Sequence, residues 1–146
     1  MLSDNNILIA QGGGPTNVIN SSLAGIIKQA KKKFNIIGSL NGVNGIINSK
    51  FISLNNLSNN DLKILANTTG AALGSTRDKP DEKYCIEILK VLKKKKINKF
   101  FYIGGNDSSD SLRIISEKSQ QMKSPIQCIH VPKTIDNDLV KNDHTP

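Results

Sequence analysis

Phe100-Phe101-Tyr102-Ile103, running into Gly104-Gly105-Asn106-Asp107, is the stretch that decides the fold. Four bulky residues in a row, with no polar alternation, fit a strand buried on both faces. A helical pattern follows the glycines, with Leu112, Ile115 and Met122 near one face, until Pro125 stops it. The same unit recurs on either side. Upstream, Ile7-Leu8-Ile9-Ala10 runs into Gly12-Gly13-Gly14-Pro15, and then Ile19, Leu23, Ile26, Ile27, Ala30 and Phe34 return at helical spacing. Downstream, the spacing predicts a strand over 126–131 that leads into Pro132-Lys133-Thr134-Ile135-Asp136-Asn137-Asp138.

Between these units Ile36-Ile37 suggests a further short strand, Asn41 to Gly45 a turn-rich loop, and 61–67 a weak helix. Residues 68–80 form a polar loop without periodicity. A clear helix follows, with Asp81 as its N-cap and Cys85, Ile88, Leu89 and Leu92 as its apolar stripe. Strands that alternate with helices long enough to cross back predict an α/β domain. Its sheet is parallel and doubly wound (Rossmann-like), with helices on both faces. The whole chain, residues 1–146, reads as one such domain. Ligands bind such sheets outside the carboxyl ends of the strands, and three of those ends carry glycine-rich or acidic clusters here.

Composition narrows the class. Hydrophobic residues make up 37% of the 146, aromatics 4%, and there is no Trp, so the core must be aliphatic. No apolar run is long enough for a membrane helix, and residues 1–4 lack a signal-peptide pattern, which points to a cytoplasmic protein. Cys85 and Cys128 have no metal-ligand spacing and read as small core residues in a reducing setting. The net charge of +8 sits largely in Lys31 to Lys33 and Lys93 to Lys96, each run closing a predicted helix, where cations suit the helix dipole. Without interleaved aromatics these runs do not read as a nucleic-acid site; a steep salt-dependent affinity for DNA would say otherwise.

The three clusters carry the chemistry. Gly12-Gly13-Gly14 is either a tight strand-to-helix turn or a cradle that lets backbone approach phosphate; it is neither a Walker sequence nor a dinucleotide fingerprint. Asp107 is either an N-cap or a carboxylate beside a phosphate and its magnesium. Lys133, Thr134, Asp136 and Asp138 place a cation, a hydroxyl and two carboxylates at one strand end. They make either a polar surface loop or the division of labour that phosphoryl transfer requires. Arg77, in Gly74-Ser75-Thr76-Arg77, could grip phosphate with two parallel hydrogen bonds or be a solvated charge.

Together, Gln11 to Asn20, Gly74-Ser75-Thr76-Arg77, Gly104-Gly105-Asn106-Asp107-Ser108 and Pro132 to Asp138 resemble phosphofructokinases in order and separation, over essentially the whole chain. The resemblance implies transfer of a phosphoryl group to the 1-hydroxyl of fructose 6-phosphate with Mg2+. It implies Asp136 as the base, Lys133 and Arg77 as charge stabilisers, and Thr134 and Asp138 as holders of the sugar phosphate and the transferring group. Gly12, Gly13, Gly14, Asp107 and Ser108 are implied at the donor, and Asn106 and Asp107 at the metal. A homo-oligomer is the family habit. ATP-using members resemble Gly-Gly-Asp-Gly and Pro-Gly-Thr-Ile-Asp at the last two motifs. Asp107 and Lys133 replace the variable glycines here, which looks like the pyrophosphate-using subfamily. A carboxylate where the ATP α-phosphate would lie repels it. Asn106 stands where many members have a magnesium-binding Asp, so its amide oxygen would ligate without negative charge.

Family members are more than twice this long, and their other half supplies most fructose 6-phosphate contacts. The expectation is a truncated first domain with weak or no turnover alone. A non-catalytic phosphate-binding module is the alternative of another class, and the same chemistry with ATP is the alternative donor.

Overall fold

A computed structural model describes residues 5–138, 140, 141 and 143–145. The reading of residues 1–4 lies outside them. Ten elements follow in order: β1 (Asn6–Gln11), α1 (Ile19–Ala30), β2 (Asn35–Ser39), α2 (Gly42–Ile47), β3 (Phe51–Ser53), α3 (Asn59–Ala66), α4 (Glu82–Lys94), β4 (Ile97–Gly104), α5 (Asn106–Gln121) and β5 (Gln127–Pro132). The strands form one sheet in the order β3-β2-β1-β4-β5. The pairs β1–β2, β1–β4 and β4–β5 are parallel.

Both faces of the sheet are covered, which is why the strands read as unbroken apolar runs. On one face Ile7, Ile9 and Ile103 pack under Ile19, Leu23 and Ile27 of α1 and Leu62 of α3. On the other, Leu8, Ala10, Phe100 and Tyr102 meet Val43 and Ile46 of α2, Ile88 and Leu92 of α4, and Leu112 and Ile115 of α5. Asp81 caps α4 by accepting from the Tyr84 N–H at 2.8 Å. Ser58 and Asp61 form a reciprocal capping box, so α3 starts two residues earlier than its apolar pattern suggests. Met122 lies past the end of α5 and is 44% exposed instead of sharing its buried face.

Two elements depart from expectation. The turn-rich stretch at Asn41 opens a short helix: Asn41 is left-handed (φ 60°), and the chain then winds so that Val43 and Ile46 are fully buried. Phe51–Ser53 adds a three-residue antiparallel strand at the β2 edge, so the sheet is mixed at that edge and parallel elsewhere. A strand this short leaves no periodicity to read.

Gly45 is what lets α2 sit against the end of β2. A Cβ there would fall on the carbonyl oxygen of Leu40, which is backbone and cannot swing aside. Gly45→Ala is expected to cost about 3 kcal/mol, the upper range for forcing volume into a packed site. For a domain this size the melting temperature should fall by about 10 °C. An unchanged thermal transition would show that α2 can shift freely.

The strand order fixes where a ligand can go. After β1 the chain moves outward through β2 and β3, then crosses to the other side of β1 for β4. The ends of β1 and β4 therefore flank the point where the order reverses, and α/β sheets open a crevice there.

Candidate active site

At that crevice the loops after β1, β4 and β5 meet. The Gly12 N–H donates to the Ile103 carbonyl at 2.9 Å, which joins the first two loops. Lys133 ties in the third. Its N–H donates to the Gly104 carbonyl at 3.3 Å, its carbonyl accepts from the Thr16 hydroxyl at 2.5 Å, and its Nζ donates to the Gly14 carbonyl at 2.7 Å. The residue is 8% exposed. A buried ammonium needs anions or acceptors around it, and it borders a cleft of about 350 Å³.

Gly13, Gly14, Arg77, Asn106, Asp107, Ser108, Lys133, Thr134 and Asp136 all line this cleft. Residues from four separate stretches of sequence thus share one wall system. Gly12 and Asp138 do not line it. Gly12 lies against the Tyr102 ring, where a Cβ would come 2.6 Å from the phenol oxygen. Asp138 is exposed outside the cleft.

Two of the glycine loop's N–H groups are committed within the protein. Helix α1 starts only at Ile19, so its N-terminus is not the floor of the loop. The Gly12 N–H is used by Ile103, and the Gly13 N–H by the Thr76 carbonyl at 2.9 Å. What Gly13 contributes is a positive φ of 74° and room: a Cβ there would stand 3.1 Å from Lys133 Nζ. The Lys133 and Arg77 side chains therefore bring positive charge to this wall of the cleft. Lys133 keeps donors beyond its bond to Gly14. Arg77 Nη2 lies 3.9 Å from the point where Gly14 would carry a Cβ.

On the opposite wall, Asn106 and Asp107 form the first turn of α5 after an N-cap at Gly105. Asp107 is inside that turn and is not the cap. Its N–H donates to Asn106 Oδ1 at 2.9 Å, and its carboxylate pairs with Lys79 Nζ at 3.0 Å. At the β5 end the Thr134 hydroxyl donates to Asp136 Oδ2 at 3.0 Å, while the Asp136 N–H donates back to that hydroxyl oxygen at 3.3 Å. Asp136 is solvent-exposed, with its carboxylate orientation set by this local ring of bonds.

Thr76, Asp78, Lys79, Tyr102 and Gly105 also border the cleft, and none was singled out from sequence as a site residue. Asp78 accepts from the Tyr84 hydroxyl at 2.9 Å and from Asn44 Nδ2 at 3.3 Å. The bond from Tyr84 holds the Asp78 carboxyl below its usual range, and burial, reinforced by Asp78, pushes the Tyr84 phenol up. Burial also raises the Tyr102 phenol to about 12. Burial likewise raises Cys85 and Cys128 to about 11, consistent with inert thiols. Among the described residues, no helix is long and apolar enough to cross a membrane.

The phosphofructokinase family profile matches residues 6–146. The chain belongs to the phosphofructokinase family. It is 52% identical over 143 residues to the pyrophosphate–fructose 6-phosphate 1-phosphotransferase of Rhodospirillum rubrum, covering 96% of this chain and 35% of that one. It is 37% identical over 151 residues to the enzyme of the same name from Xanthomonas campestris, covering 99% of this chain and 36% of that protein. A crystal structure of a pyrophosphate-dependent phosphofructokinase from Nitrosospira multiformis superposes with a TM-score of 0.89 at 38% identity, over 97% of this chain and 36% of that one. This phosphofructokinase-family chain thus spans little more than a third of the length of the relatives it matches.

Proposed function

We propose that this chain is the phosphoryl-donor part of an enzyme that phosphorylates fructose 6-phosphate with pyrophosphate. One observation carries the reading: a buried lysine ammonium, held on the Gly14 carbonyl, faces a cleft that also contains the Asp107 and Asp136 carboxylates. The names of the relatives at 52% and 37% identity support the same donor.

In this reading pyrophosphate lies between the Gly13–Gly14 wall and Asp107. Lys133 and Arg77 offset the charge on its oxygens. Asp136 accepts the proton of the sugar 1-hydroxyl as that oxygen attacks the nearer phosphorus. The bridging P–O bond breaks, and inorganic phosphate leaves with the bond's electrons. The products are fructose 1,6-bisphosphate and phosphate. Thr134 positions Asp136 through the 3.0 Å bond and stands beside the transferring group.

Magnesium fits this wall in a limited way. Among the described residues no group of three His, Cys, Asp or Glu side chains could hold a metal. Magnesium needs only one or two carboxylates when phosphate oxygens and water fill the remaining positions. Asp107 and the Asn106 amide oxygen are the groups placed to contact it, and it would supply charge neutralisation to the phosphates.

The test is a chimera in which residues 1–146 replace the matching segment of the Rhodospirillum rubrum relative. Phosphorylation of fructose 6-phosphate is expected with pyrophosphate, with ATP giving less than about a hundredth of that rate. Replacing both Asp107 and Lys133 by Gly should move the preference toward ATP. A folded chimera that prefers ATP, or is inert with both donors, would defeat the proposal.

A further inference from the structure

Asp107 is an anion in a cleft meant for an anion. It also occupies the first turn of α5, where the helix dipole would otherwise favour phosphate. We infer that Lys79 is a donor-site residue whose work is to neutralise Asp107, so that pyrophosphate meets a net positive cleft. The inference rests on the reading above and adds a residue to it.

Three observations place Lys79 there. Its ammonium lies 3.0 Å from Asp107 Oδ2, and both residues border the cleft. The preceding residue is anchored: Asp78 bonds to Tyr84 and Asn44, and its N–H donates to the Thr76 hydroxyl at 3.1 Å. That anchor fixes the chain between Arg77 and Lys79, so one loop delivers a cation to each side of the cleft. Finally, Asp107 and Lys79 come from different parts of the chain, the first turn of α5 and the loop before α4, and they meet at the cleft.

The pair is open to water, with side chains 75% and 56% exposed, so it adds little to folding. Its effect falls on a ligand carrying several negative charges close by. This separates two roles that a single substitution would confuse: gripping phosphate directly, or cancelling a carboxylate that repels it.

A double-mutant cycle resolves them, measured by calorimetric titration of the 146-residue chain with inorganic pyrophosphate in magnesium-free buffer. Lys79→Met should weaken binding about fivefold when Asp107 is present and by less than about twofold in the Asp107→Asn background. Asp107→Asn alone should leave binding equal or tighter. Equal losses from Lys79→Met in both backgrounds would mean that Lys79 grips the phosphate itself and would overturn the inference alone. No loss in either background would also overturn it, reducing the ion pair to a surface contact. A wild-type chain with no pyrophosphate affinity would overturn this inference alone, because the donor preference of the chimera tests the functional reading separately.

Discussion

Asp136→Asn, placed in the chimera with the Rhodospirillum rubrum relative, should lower kcat about 10²- to 10⁴-fold, the range expected for losing a positioned general base. The KM for fructose 6-phosphate should move by less than about threefold, because the substitution removes an interaction that matters only as the proton is taken. The fold should not change. Asp136 is exposed, and the amide oxygen of Asn can still accept from the Thr134 hydroxyl that bonds Asp136 at 3.0 Å. Steady-state kinetics with pyrophosphate checks all three points. A variant that keeps a tenth or more of the wild-type turnover would show that the proton leaves by another route.

Lys133→Met should separate stability from binding. The ammonium is buried, and its bond to the Gly14 carbonyl at 2.7 Å is the contact seen at Nζ. Met has similar length, fills the same buried space and needs no acceptor, so the melting temperature should hold or rise. Pyrophosphate affinity should fall about 10- to 100-fold with the loss of a charge-assisted donor. Stability gained while affinity is lost marks a residue kept for binding. If the variant instead unfolds easily and binds normally, Lys133 is a bolt between loops and nothing more.

Much of this architecture could be read from residue order, and the reason is burial. Ile7 to Ala10 and Phe100 to Ile103 are covered on both faces, so their strands show as runs of large side chains. The stripe of α4 is equally plain because Cys85, Ile88, Leu89 and Leu92 all point inward. Helix α2 was hidden because its cap and first residues, Asn41 to Gly45, are those that turns also favour. The β3 strand was hidden because three residues on an edge carry no pattern. At the cleft, the glycine and aspartate clusters stood out by type and spacing. Lys79 and Asp78 did not, since their partners, Asp107 and Tyr84, become neighbours only once a loop without periodicity has been laid across the sheet end. Nor could composition say that the Gly12 and Gly13 N–H groups are already committed to Ile103 and Thr76.

The bond from Lys133 to Gly14 spans 119 positions of the chain. No local segment can therefore build this wall of the cleft. The glycine loop and its ammonium partner come together only after the strands and helices between them have packed, so the wall is a product of long-range folding.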